Sequence, residues 1–408
     1  MNRIILIGNG FDIAHDLQTS YQNFLDWYWD KRVEDFISTR SKVSEDILCK
    51  LTILGEGVWS TFAYHYTISP LGKHKGCDII QAIRENKDAF KVEDSPFFKR
   101  IITSINTKKW VDIEEEYYQL LTQYAFVESA NKNLVLLNNQ LQYIRELLIK
   151  YLTGVYEKKV TPKTSIYSKI YAPINNKEIA IGSNDILRQY LKVCKEHDKE
   201  WINGKIYGYG TNYFAYQDDH TKLVNSYMNN ENVLESDIPI PYMLPHSILL
   251  LNFNYTHTVQ LYQKKDLSII NNIHGSIENP QSVIFGYGDE LDEKFKKIKE
   301  ISNDECRKNI KSIKYLESDN YRSILKFMES APYQIYIMGH SCGNSDRTLL
   351  NALFEHKNCF SIKPYYYKKE DGTDNYFEIV QNISRNFTDM NLMRDRVVNK
   401  TYCETITQ

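Results

Sequence analysis

The sequence predicts an α/β protein in which a mostly parallel sheet is interrupted by a large helical insertion. Three observations carry that reading. Arg3-Ile-Ile-Leu-Ile-Gly8 is an unbroken apolar run closed by glycine, as expected of a strand buried on both faces. After Pro239, Pro241 and Pro245 the chain returns to short apolar runs ending in small or polar residues. Between these two regions the apolar residues repeat at helical spacing, as at Leu134, Leu137, Leu141, Ile144, Leu148 and Tyr151.

Taken in order, the first strand ends in the tight turn Gly8-Asn9-Gly10, and helix follows from Phe11 to Trp29 with a break at Thr19-Ser20 where a new helix could be capped. Further strands are expected at Ser247–Leu251, Leu267–Ile270, Ser282–Phe285 and Tyr333–Met338. A helix carrying Leu349, Leu350, Leu353 and Phe354 comes next, capped by Asn344 or Ser345, and Cys359 to Tyr367 makes a last strand. Residues 1–29 and 246–408 would then form a Rossmann-like nucleotide-binding core, with 30–245 as the mainly helical insertion.

With 408 residues the chain can bury a substantial core, and its 42% hydrophobic and 25% charged residues exclude a disordered or low-complexity protein. The net charge is -2, which gives no global attraction to nucleic acid or anionic lipid, so neither is favoured as a partner. No apolar segment reaches the roughly 20 residues needed to cross a bilayer, and a cytoplasmic location is expected. The seven cysteines are scattered without a CxxC pair, so they read as reduced thiols and no metal is expected.

In open α/β sheets, ligands sit where the carboxyl ends of strands turn into loops. Four polar clusters fall there: Gly8-Asn9-Gly10-Phe11-Asp12, Asn252-Phe253-Asn254-Tyr255-Thr256, His274-Gly275-Ser276 and Gly339-His340-Ser341. Backbone N–H groups at Gly8, Asn9, Gly10 and Phe11 could cradle a pyrophosphate at a helix start, although Ile13 stands where the dinucleotide fingerprint wants a small residue. The same glycines would serve a purely structural turn. Asn254 can hold a ribose hydroxyl or a water, and equally can cap a turn. An unperturbed imidazole titrates close to neutral pH, which suits His274 to the role of general base, with His257 a competitor for it. Gly339, His340 and Ser341 could present donors to phosphate or ribose.

The segments LIGNGFDIAHDLQTSYQNFL at 6–25, FNYTHT at 253–258, NIHGS at 272–276, IFGYGDE at 284–290 and YIMGHSCGNSD at 336–346 resemble the bacterial abortive-infection family AbiH, as does Trp110-Val-Asp112-Ile-Glu114-Glu115. That resemblance implies phage defence, set off by a phage trigger the sequence does not name. In order and in placement at strand ends, Gly8-Asn9-Gly10, Phe253-Asn254-Tyr255-Thr256, His274-Gly275 and Gly339-His340-Ser341 are also similar to sirtuins and sirtuin-like defence NADases. Thr256 and His340 depart from that pattern, and the paired-cysteine zinc module is missing.

By this second resemblance NAD is the substrate, Asn254 and His274 match catalytic residues, and Ser341 lies near the ribose. Asp12 would stabilise a cationic ribose, or else cap its helix. Asp112 and Glu115 would close over the site from the insertion, or form a solvated acidic first turn. A non-catalytic nucleotide sensor or scaffold and a nuclease are the alternative functions, and a homo-oligomer is compatible with any of them.

Overall fold

The computed structural model describes residues 1–39, 41–55, 76–108, 112–127, 130–157, 160–183, 185, 189 and 243–407. The strands are β1 (Asn2–Ile7), β2 (Val43–Glu45), β3 (Cys49–Ile53), β4 (Phe90–Asp94), β5 (Ile248–Asn252), β6 (Ser268–Asn272), β7 (Tyr333–Met338) and β8 (Cys359–Tyr365). The helices begin with α1 (Asn9–Ile13), α2 (Tyr21–Thr39), α3 (Gly76–Glu85), α4 (Pro96–Lys108), α5 (Ile113–Ala125), α6 (Asn131–Tyr156) and α7 (Thr164–Ile170). They continue with α8 (Glu293–Glu300), α9 (Lys311–Lys314), α10 (Asn320–Ser330), α11 (Arg347–Glu355), α12 (Tyr376–Arg385) and α13 (Met390–Arg396).

These elements fall into two compact units, one of Met1–Asp16, Val160–Ser276 and Tyr315–Gln408, the other of Leu17–Lys159 and Ile277–Lys314. The expected division at 29/30 and 245/246 therefore differs from the one observed. Tertiary packing, which no local pattern records, joins α2 and residues 277–314 to the second unit and Val160 onward to the first.

The first unit is built on a five-stranded sheet, ordered β6-β5-β1-β7-β8, in which every pairing is parallel. All residues of β1, β5, β7 and β8 are buried, which is why their sequences read as unbroken apolar runs. On one face Ile5, Ile7, Ile248, Leu250, Tyr336 and Met338 pack with Phe11, Ile166, Ile170 and Tyr262. The alternate residues Ile4, Leu6, Leu249, Leu251, Ile335 and Ile337 serve the opposite face and are buried as well. The chain starts at the centre, steps outward through β5 and β6, then crosses to the other side of β1 for β7 and β8. Strand order reverses between β1 and β7, and in doubly wound sheets that point is the ligand crevice.

The second unit holds α2 to α6 and an antiparallel sheet ordered β2-β3-β4. The sequence reading missed that sheet, although β3 alternates buried Cys49, Leu51 and Ile53 with half-buried Lys50 and Thr52. The break before α2 is where it was expected: the Asn23 N–H donates to Ser20 Oγ at 3.2 Å, and the helix then runs on to Thr39. The strand expected at Ser282–Phe285 does not form. Pro280–Ser282 is a 3₁₀ turn, and the Val283 carbonyl accepts from Arg145 Nε at 2.9 Å instead of joining a ladder.

Candidate active site at the carboxyl end of the parallel sheet

The turns after β1 and β7 interlock. Gly8 N–H donates to the Met338 carbonyl at 3.3 Å, Gly10 N–H to the Gly339 carbonyl at 2.9 Å, and Phe11 N–H to the Gly8 carbonyl at 2.8 Å. A Cβ on Gly8 would lie 2.5 Å from His340 Cα, and one on Gly339 would lie 2.1 Å from the Phe11 nitrogen. Gly339 also has φ +78°, a conformation that costs other residues strain. The glycines are thus required for backbone-to-backbone contact. Of the four residues expected to cradle a phosphate, Gly8, Gly10 and Phe11 donate their amides within the fold, and the Phe11 side chain is in the core. Asn9 is exposed, and so is Ser341, whose carbonyl accepts from Asn382 Nδ2 at 2.9 Å. Gly339→Ala is expected to lower unfolding stability by at least about 2 kcal/mol in urea denaturation, since it adds both strain and overlap.

The turn after β5 is tied to the same region. Asn252 Nδ2 donates to the Thr256 carbonyl at 3.0 Å and to Asn272 Oδ1 at 2.9 Å, while Asn252 Oδ1 accepts the Asn254 N–H at 3.1 Å. This Asx turn aims the Asn254 side chain at β1, where Nδ2 donates to the Gly8 carbonyl at 3.0 Å. Thr256 Oγ1 donates to Asp12 Oδ2 at 2.6 Å, so Asp12 binds the β5 turn and does not cap α1 with its side chain. Asp12 is 1% exposed and its Oδ1 carries no hydrogen bond. Burial pushes its carboxyl pKa up to about 6. Thr256 opposes that shift, and Thr258 and Asn254 lie near enough to favour the charged form without an aligned bond to Oδ1.

His274 follows β6 and enters a second polar group. Its Nε2 is 3.2 Å from Asp346 Oδ1 and 3.2 Å from the Tyr315 hydroxyl. His340 Nδ1 accepts the Cys342 N–H at 3.0 Å, which puts the ring proton on Nε2, 3.5 Å from the other oxygen of Asp346. One carboxylate therefore lies between two buried imidazoles. The Phe253 ring touches both, with centroids 5.3 Å from His274 and 4.1 Å from His340. The predicted residues thus fall into two neighbouring groups at one end of the sheet, Asp12 with Asn254 on the β1 turn and His274 with His340 on Asp346.

Asp346 was missed. It lies in Gly343-Asn-Ser-Asp346, which reads as a helix start, and only its position near His274 in space distinguishes it.

A family model described as bacteriophage abortive infection AbiH matches residues 4–367, a span that contains every residue of both groups. The chain belongs to the AbiH family. Membership indicates a function in bacteriophage abortive infection. No curated protein and no solved structure matches this AbiH chain.

The second unit of this AbiH protein uses its own motif residues as internal ties. Asp112 caps α5 by accepting the Glu115 N–H at 3.0 Å; Trp110 lies outside the described residues. Glu114 is buried, paired with Lys311 at 2.7 Å and accepting the Gly286 N–H at 2.8 Å. Tyr118 and Tyr287 stack at 3.8 Å with 4° between their planes. Asp289 accepts the Leu291 N–H at 3.0 Å, and Glu290 lies 3.8 Å from Lys299. Among the described residues there is no group of three or more His, Cys, Asp and Glu placed to hold a metal, and no helix long and apolar enough to cross a membrane.

Proposed function

We propose that this AbiH protein acts in abortive infection by binding NAD and hydrolysing its nicotinamide–ribose bond at the carboxyl end of the parallel sheet. The observation that carries this reading is the buried group in which Asp346 holds His274 at 3.2 Å with His340 beside it. A carboxylate behind an imidazole fixes its orientation and stabilises its protonated form, which is what a general base on water requires. The strand order supports a Rossmann-like, sirtuin-like core, because the chain fills its sheet in the third-second-first-fourth-fifth order of dinucleotide-binding sheets.

In this reaction the bond from ribose C1′ to the pyridinium nitrogen breaks and its electron pair passes to nitrogen, so nicotinamide leaves neutral. Water bonds to C1′ and releases a proton to His274, giving ADP-ribose. Asn254, anchored on Gly8, orients the ribose or the water. Asp12, charged in surroundings that disfavour its charge, faces the oxocarbenium-like transition state as its counter-ion. With the Gly8 and Gly10 amides engaged elsewhere, the pyrophosphate is held by other groups.

A second reading is a nucleotide sensor without catalysis. It is favoured by the hydrogen bonds through which Asn254 and Asp12 lock the β1 and β5 turns together.

Incubating purified protein with NAD and measuring free nicotinamide separates the two readings. Hydrolysis is expected in the wild type, with a drop of about a hundredfold or more in His274→Ala and a shifted pH profile in Asp346→Asn. NAD binding without release establishes the sensor. Release unaffected by His274→Ala and Asn254→Ala overturns the site. Toxicity of each variant on expression, scored with and without phage, covers an enzyme that needs a trigger.

A further inference from the structure

Between β7 and α11 the backbone takes a conformation that side chains resist. Cys342 is fully buried and has φ +54°, in the left-handed region where a Cβ is strained. This turn brings the Cys342 N–H onto His340 Nδ1 at 3.0 Å. That donation leaves the ring proton of His340 to Nε2, which faces one oxygen of Asp346 at 3.5 Å while His274 faces the other at 3.2 Å. The opposite tautomer would set a nitrogen lone pair against the carboxylate.

Two asparagines hold the turn from α12. Asn382 Nδ2 donates to the Ser341 carbonyl at 2.9 Å. Asn386, directly after the helix and one turn on, donates from Nδ2 to the Cys342 carbonyl at 2.9 Å and to the Asn382 carbonyl at 2.8 Å. Asn386 is in turn fastened to α11. Its carbonyl accepts from Asn351 Nδ2 at 2.9 Å, and Glu355 at the end of α11 accepts the N–H groups of Thr388 at 2.6 Å and Asp389 at 2.8 Å. Asn386 is 0% exposed, yet its Oδ1 has no hydrogen bond. An orphaned buried acceptor costs stability that an apolar side chain in its place would not. Strain at Cys342 and an unmet acceptor at Asn386 are thus two local costs borne by one loop, and what they hold in place is the hydrogen bond to His340.

We propose that Asn386 is a positioning residue for the Asp346 group. Through the Cys342 carbonyl it keeps the left-handed turn closed, so that His340 stays in its Nε2–H tautomer and Asp346 stays between the two imidazoles. Both asparagines lie beyond residue 367, where the family match ends, so the C-terminal segment takes part in building the site. The effect on catalysis rests on the proposed NAD hydrolysis, whereas the tautomer does not.

The test is nitrogen NMR of the full chain, isotope-labelled at its histidines and recorded at about pH 8, with His340→Asn to assign the signal and a melting temperature for each variant. In the wild type His340 Nδ1 is expected to show the shift of an unprotonated nitrogen and Nε2 that of a protonated one. In Asn386→Ala the two shifts should move toward each other as the tautomers mix. Adding Cys342→Gly should restore them, because glycine holds a positive φ without strain and needs no clamp. If Asn386→Ala fails to fold, Asn382→Ala, at a half-buried position, takes its place with the same rescue. Shifts unchanged in the folded asparagine variant, or a change that Cys342→Gly leaves in place, overturn the proposal. Nicotinamide release from the same proteins reads the hydrolysis separately: kcat should fall about tenfold or more in Asn386→Ala with KM nearly unchanged, and return in the double variant. A wild type with the fixed tautomer and no release refutes the hydrolysis and retains the clamp on His340. Release unchanged while the tautomer is lost overturns the positioning role.

Discussion

Replacing Asp12 with asparagine is expected to make the protein more stable at pH 8 by about 3 kcal/mol and, under the proposed NAD hydrolysis, to abolish that reaction. Folding raises this carboxyl from 3.8 to about 6 because burial penalises its charge. Between those values the native state holds a proton that the unfolded state has released. The favourable contribution is therefore complete below pH 3.8, declines as pH rises, and is lost above about 6. The full difference corresponds to about 3 kcal/mol, and 1% exposure leaves little solvent to screen it. An asparagine keeps an oxygen for the Thr256 hydroxyl and carries no charge to desolvate. Urea denaturation of wild type and variant from pH 4 to 8 measures the gap between them, which should widen through this window and then stay level. A constant gap would mean that Asp12 is not held against its own ionisation. Stability gained with activity lost is the mark of a residue kept for chemistry.

Lys311→Met is expected to destabilise the second unit by about 3–5 kcal/mol. Lys311 is 1% exposed, and its ammonium is 2.7 Å from the buried Glu114 carboxylate, which also accepts from Gly286. Removing the ammonium strands that charge in a poorly solvated place. The double variant Glu114→Gln with Lys311→Met should recover much of the loss, because no charge is then left buried alone. Denaturation curves of the two variants give both numbers. A single variant within about 0.5 kcal/mol of wild type would show that water reaches Glu114 freely.

Much of the first unit is legible in the chain. β1, β5 and β7 announce themselves because strands buried on both faces need apolar residues at nearly every position. The strand ends pick out the polar residues that gather around Asp12, Asn254 and His274, since open sheets place ligands there. The antiparallel sheet of the second unit is harder to see. Its strands are three to five residues long, and the alternation of β3 is short enough to be lost in a helical neighbourhood. Ser282–Phe285 misled for the opposite reason: the run is apolar enough for a strand, yet its Val283 carbonyl is claimed by Arg145, and Glu114 takes the N–H of Gly286 directly after it.

Burial is a property of each residue's own side chain, so the amino-acid order alone settles the α/β class, the sheet's core strands, the glycine turn and the kinship with AbiH. Partnership is a property of pairs. That Gly8 and Gly10 serve contact with Gly339 and His340, that Asp346 stands between His274 and His340, and that Glu114 pairs with Lys311 follow only once strands and helices are set in register. A hydrogen bond or an ion pair is decided within a few tenths of an ångström, and only the assembled fold sets distances between residues far apart in the chain.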